Sequence, residues 1–238
     1  MKSQQTSIVD YRKFRFSKLK TPEFSHVWWL IYWPIFGVLF YTLERIWIRD
    51  YYHPMYCGLD DFIPFMEIFL IPYLFWFVFL IGIHVYTLLF DIAAFRRLMV
   101  FVMVSYSITI VVYTLFPNCQ ELRPVEFERD NFLTRFMAGY YVFDTNTNVL
   151  PSLHVIGSVA AVVGAWDSRH FSGTGWRIAF SVTAFFIAIS TVFLKQHSIL
   201  DLFAAIPVCA VSILCVWLYE RRRVRLGRMS PWEKPPVK

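Results

Sequence analysis

The amino-acid sequence predicts an all-α, polytopic membrane protein, a six-transmembrane-helix bundle. Three features carry that expectation. Of the 238 residues, 57% are hydrophobic and 20% aromatic, and only 17% are charged, whereas an average soluble domain is about 45 to 50% apolar and about 25% charged. At roughly 20 residues per crossing, six crossings take about 120 residues and leave about as many for loops and tails. The basic residues concentrate in short clusters that flank apolar runs. Intrinsic disorder, collagen and a large two-domain enzyme are excluded, because too little polar sequence remains to wrap a second core.

The organisation follows from those clusters: a basic tail over residues 1–26, a membrane domain over 27–220 and a second basic tail over 221–238. A net charge of +6 would suggest a nucleic-acid partner in a soluble protein. Here Arg12, Lys13, Arg15, Lys18 and Lys20 precede the first apolar run, and Arg221, Arg222, Arg223, Arg225 and Arg228 follow the last. Such juxtamembrane clusters act as cytoplasmic anchors rather than as a presented basic face, so membrane lipids and not nucleic acid are the expected partners. The first tail is polar and lacks an apolar core with a small-residue cleavage site, so the first span is expected to serve as the insertion signal.

Apolar runs cover residues 27–43, 62–90, 98–116, 150–166, 176–194 and 199–219. Lipid offers backbone polar groups no water, so each run is predicted to be a helix. Trp28, Trp29 and Trp33 in the first read as an interfacial belt. In the second, Glu67 and His84 read as partners for neighbouring helices. In the fourth, Gly157 and Ala161 sit one turn apart, as do Ala160 and Gly164, which makes a close-packing face. Cys209 and Cys215 in the sixth read as packing residues. Cys57 and Cys119 fall in loops on one predicted side, where a disulfide is compatible with their position. With both tails inside, only Arg45, Arg49, Arg123, Arg129, Arg135 and Lys195 fall outside, and this asymmetry sets the orientation. Parity then places the loop 117–149 and the starts of the fourth and sixth helices on the non-cytoplasmic face.

That loop is long for a helical bundle, which favours a functional role. Residues 131–143 put Phe132, Phe136 and Tyr140 on one helical face, as an interfacial helix would, and Asp144 to Asn148 read as a turn. Three separated pieces meet at the same face: Arg123-Pro124, the run Pro151-Ser152-Leu153-His154, and His197 followed four residues later by Asp201. Spacing i to i+4 puts Asp201 one turn below His197, where a carboxylate can hold one imidazole nitrogen and leave the other nucleophilic. An ionisable group inside an apolar span is costly, which marks Asp201 as a functional candidate. Ser152 and His154 open the fourth helix, whose free N–H groups favour an anion, although Ser152 also fits a plain helix cap. The guanidinium of Arg123 suits phosphate oxygens and also suits a solvated loop. Two histidines, an arginine and a helix N-terminus describe a phosphoryl-transfer site. It calls for no metal and no cofactor, since zinc would require His197 to give up its carboxylate.

At these residues the chain resembles the type 2 phosphatidic acid phosphatase superfamily, six-helix membrane proteins with the patterns KxxxxxxRP, PSGH and SRxxxxxHxxxD. The counterparts here are FPNCQELRP ending at Pro124, PSLH ending at His154 and STVFLKQHSILD ending at Asp201, so the likeness spans about residues 98–220. It implies a metal-independent lipid phosphatase with an extracytoplasmic active site. His197 would form a phosphohistidine, Asp201 would orient it, His154 would protonate the leaving alkoxide, and Arg123 and Ser152 would hold the phosphate. The substrate would be a phospholipid or an isoprenoid phosphate, as a phosphomonoester or pyrophosphate.

Phe116 stands where the first pattern has lysine, Leu153 where the second has glycine, and Thr191 where the third has arginine. Lys195 is a candidate replacement for one missing cation, and Arg129 or Arg135 for the other. Loss of both cations with two histidines and the aspartate kept also resembles sphingomyelin and inositol phosphorylceramide synthases, in which a lipid hydroxyl replaces water as acceptor. A catalytically silent carrier or scaffold is the third expectation.

Overall fold

The computed structural model describes residues 9–166 and 168–227; Lys2, Arg228 and the end of the second basic tail lie outside them. The α-helices are α1 (Tyr32–Tyr41), α2 (Leu70–Phe90), α3 (Ile92–Leu115), α4 (Phe132–Phe143), α5 (Leu153–Trp166), α6 (Thr174–Phe193) and α7 (Ile199–Arg225). A 3-10 helix (Ser25–Ile31) and a π turn (Thr42–Ile46) extend α1 at its two ends. Two short strands, β1 (His53–Pro54) and β2 (Asn118–Cys119), pair in parallel with His53 opposite Asn118. This pairing fastens the first interhelical loop to the third.

Five helical segments are long and apolar enough to cross a bilayer: Ser25–Ile46, Glu67–Phe90, Ile92–Leu115, Thr174–Phe193 and Ile199–Arg225. The chain is an all-α, multi-pass integral membrane protein. The expected fourth span is the departure. With 14 residues, α5 rises about 21 Å, short of a hydrocarbon core of about 30 Å. Pro151 and Ser152 stop it from extending upstream, and the turn around Ser168 ends it. It lies inside the bundle against α2, α3, α6 and α7, with Ile156, Ala160, Ala161 and Ala165 fully buried. The small residues allow that approach: a Cβ built at Gly164 would already meet Leu98 at 3.3 Å.

Other boundaries moved for local reasons. Pro64 disfavours helix at Ile63, which is extended, so α2 starts at Leu70 and not near 62. Asp91 caps α3 through Oδ1 and the Ala94 N–H at 3.1 Å, which starts that helix at Ile92 and brings Arg96 and Arg97 inside it. The predicted interfacial helix is present as α4, with Asn131 and Thr134 closing a capping box at its start. His84 meets a neighbouring helix through the Trp33 ring of α1 at 5.2 Å, whereas Glu67 reaches the long loop. Glu67 meets Arg129 and Asn131 of the long loop, and His84 bonds the Leu80 carbonyl of its own helix at 2.8 Å. Trp33 packs inward against His84 and Tyr106, so of the three tryptophans it is not a belt residue. Cys57 and Cys119 are both free thiols.

Candidate functional site

The chain leaves α6 at Phe193 and enters α7 at Ile199, and the segment between them carries His197. The Thr191 carbonyl accepts the N–H groups of Gln196 at 2.9 Å and His197 at 3.2 Å, and Lys195 takes a left-handed backbone with φ of 51°. Ser198 caps α7: its Oγ accepts the Leu200 N–H at 3.2 Å. Asp201 completes the capping box by accepting the Ser198 N–H on Oδ2 at 3.1 Å. The same oxygen lies 2.9 Å from His197 Nδ1. An ionised carboxylate only accepts, so Nδ1 is the donor and Nε2 keeps the lone pair.

The start of α5 is tied to this turn. The Ser152 N–H donates to the Asp201 carbonyl at 3.1 Å, and its Oγ accepts the Val155 N–H at 3.4 Å; Ser152 therefore acts as a helix cap and a brace. Tyr113 holds the Pro151 carbonyl through its hydroxyl at 2.9 Å. His154 follows two residues after Ser152, its ring centroid 5.8 Å from that of His197 at an interplanar angle of 69°. Tyr73 stacks on it at 4.4 Å and Trp76 packs at 4.5 Å. His154 Nε2 and Asp201 Oδ1 are both buried with no hydrogen-bond partner, a costly state unless ligand or water meets them.

His154 and His197 line a cavity of about 60 Å³ together with Glu44, Asp144, Tyr113 and Gln196. Glu44, from the π turn after α1, accepts from Asn148 Nδ2 at 2.5 Å, Thr147 Oγ1 at 3.3 Å and the Thr145 hydroxyl. Asp144 accepts from Gln196 Nε2 at 3.3 Å and Tyr73 Oη at 3.5 Å. Burial raises the Asp144 pKa above its ordinary 3.8, against the opposing pull of Arg123 and His197.

Arg123 and Lys195 do not join this cavity. Arg123 Nη1 donates to the carbonyls of Tyr141 at 3.0 Å and Asp144 at 2.9 Å. Its Nη2 donates to the Thr145 carbonyl at 2.8 Å and to Gln196 Oε1 at 2.6 Å. The fork expected on phosphate thus clamps the end of α4, because the last carbonyls of a helix are unpaired acceptors that attract a cation. Lys195 Nζ donates to the Asp60 carbonyl at 2.8 Å and faces a separate cavity of about 790 Å³ that Asp61 and Glu121 also line. Arg129 pairs with Glu67 and Arg135 with Asp130.

Of the residues singled out from sequence, the structure brings His197, His154, Asp201 and Ser152 together and leaves Arg123 and Lys195 apart. Glu44, Asp144 and Gln196 were missed. Glu44 carried a usable signal, an acid at the end of an apolar run; the other two sit in loops with no periodicity. Among the described residues no group of three or more histidine, cysteine or acidic side chains is placed to hold a metal ion. In comparisons with protein-family models, characterised proteins and solved structures, the chain has no significant match.

Proposed function

We propose that the chain is an integral-membrane enzyme that cleaves a lipid phosphoester through a phosphohistidine on His197. The observation that supports it is the pairing of His197 Nδ1 with Asp201 at 2.9 Å while the ring faces His154 across a shared cavity. His197 Nε2 attacks phosphorus and forms the N–P bond. The P–O bond to the leaving alcohol breaks, and a protonated His154 supplies the proton, since an alkoxide leaves poorly. An acceptor hydroxyl then attacks phosphorus, breaks the N–P bond and returns its proton to His154.

Water as acceptor makes the enzyme a lipid phosphatase. A lipid alcohol makes it a phosphotransferase, and one observation favours this second reading: among the described residues the cavity is lined by Glu44 and Asp144 and by no lysine or arginine. A phosphomonoester dianion is poorly matched to such walls, whereas a phosphodiester brings a single negative charge to be neutralised. In this reading α5 counts as the sixth crossing, sheltered by protein, and both termini lie in the cytoplasm with the site on the opposite face, as the distribution of arginine and lysine favours.

The test is a panel of dioctanoyl phosphatidic acid, diacylglycerol pyrophosphate and phosphodiester lipids, given to the purified full-length protein without added metal, with and without a sphingoid or glycerolipid alcohol. Release of inorganic phosphate identifies the phosphatase. Headgroup transfer that requires the alcohol identifies the transferase. Peptide mass spectrometry is expected to find phosphate on His197 in the phosphatase and the phospho-headgroup on His197 in the transferase, and full turnover by His197→Ala would remove the mechanism.

A further inference from the structure

Asp60 lies in the loop between the first two crossings, 138 residues from the turn that carries His197, and its side chain is buried at 2% exposure. Its Oδ2 accepts the Ser198 hydroxyl at 2.6 Å and the Cys57 N–H at 2.9 Å, and its Oδ1 accepts the Ile199 N–H at 2.9 Å. Its own carbonyl accepts Lys195 Nζ at 2.8 Å. One residue therefore holds the chain two positions before His197 and at the two positions after it.

A plain helix cap would account for the bond to Ile199 N–H. The remaining contacts need a second account. Ser198 already caps α7 with its own Oγ, and Asp201 closes the capping box from within the helix. The hydroxyl hydrogen that Ser198 gives to Asp60 adds nothing to that cap, yet it fixes the rotamer of the residue beside His197. Lys195 stands in the left-handed region, which a non-glycine residue keeps only when neighbours over-determine it; its N–H is held by the Val192 carbonyl at 3.1 Å, and the Asp60 carbonyl anchors the far end of its side chain.

We propose that Asp60 is a positioning residue of the His197 centre, setting the backbone on both sides of the imidazole and so its aim across the cavity toward His154. The proposal rests on the reading of His197 as nucleophile, and its test has one arm that does not.

That arm is carbethoxylation of His197 by diethylpyrocarbonate in the purified full-length protein, followed by peptide mass spectrometry with buried His84 of α2 as internal reference. Asp60→Ala and Ser198→Ala are each expected to raise the His197 rate severalfold while His84 is unchanged. Asp60→Asn, which keeps an acceptor for Ile199 N–H, should stay near the native rate, and the double alanine variant should exceed neither single one. An unchanged His197 rate in Asp60→Ala, or a parallel rise at His84, overturns the proposal, the latter because it reports general loosening. In the second arm, with dioctanoyl phosphatidic acid or phosphatidylcholine as probe, Asp60→Ala should lower kcat about 10- to 100-fold with KM unchanged, as a displaced catalytic group does. Turnover that survives His197→Ala would remove the nucleophile reading alone, and the labelling ratio still decides the role of Asp60.

Discussion

Arg123 Nη2 stands 2.6 Å from Oε1 of Gln196, the residue before His197. The same guanidinium takes three backbone carbonyls at the end of α4, so it joins the amphipathic helix to the turn that carries the dyad. A lysine keeps the charge but offers one compact donor group in place of a planar fork. Arg123→Lys is expected to cost about 2 kcal/mol and to lower the unfolding midpoint by roughly 4 to 8 °C for a chain of this size. Since Arg123 does not line the cavity, kcat should fall and KM for a short-chain lipid should stay. A raised KM with an unchanged midpoint would mean that the guanidinium reaches the substrate.

Asp201 Oδ2 serves two donors at once, His197 Nδ1 and the Ser198 N–H. Asp201→Asn keeps the shape and can still accept from Ser198, but its amide cannot hold the imidazole in the nucleophilic tautomer as a carboxylate does. By analogy with other carboxylate-oriented histidines, kcat should fall about 10³- to 10⁴-fold with little change in unfolding midpoint. Activity within a factor of ten of the native protein would show that His197 acts without this partner.

Gly157 lies one turn below His154, and a Cβ there would come within 2.9 Å of both the Trp76 ring and Tyr106 Oη. In an ordinary helix Gly→Ala gains about 1 kcal/mol. Here the ring edge of Trp76 and the end of the rigid, buried Tyr106 must yield, and overpacking costs about 1 to 3 kcal/mol. Gly157→Ala should be neutral to destabilising by up to about 2 kcal/mol, and it should slow turnover by shifting the Trp76 ring that packs on His154. Gly82 of α2 meets nothing within 4 Å, so Gly82→Ala is the control and should stabilise. Equal gains in both variants would show that the α5 contact can relax.

The parts of this architecture set by local pattern were legible before any coordinates. Apolar runs gave the long helices, and the i to i+4 spacing gave the dyad, because both depend on residues near one another in sequence. The role of Arg123 was not legible, since a guanidinium beside a proline reads the same whether its partners are phosphate oxygens or the carbonyls of a helix 18 residues further on. Asp60 was hidden for a related reason, and so were the partners of Glu44: each acts on a segment about 100 or more residues away, and nothing periodic announces such a pairing. The run over 150–166 reappears as α5, Leu153–Trp166, but its surroundings were not legible, because hydropathy does not tell a run buried in protein from one that faces lipid.

Asp144 supplies a test through pH. Burial is the largest influence on its carboxyl and raises the pKa above 3.8, with Arg123 and His197 pulling the other way. Between 3.8 and the raised value the folded chain therefore binds more protons at this position than the unfolded chain. Stability from this group is fully present below 3.8 and is lost as pH rises through the folded value. Asp144→Asn removes the titration while keeping an acceptor for Gln196 Nε2 and Tyr73 Oη. The difference between the two unfolding midpoints, followed upward from pH 3.8, cancels the titrating groups that do not interact with Asp144. The variant should gain on the native protein as pH rises through that range. A parallel pair of curves would mean that Arg123 and His197 together offset the burial, and a relative loss in the variant would mean that they exceed it.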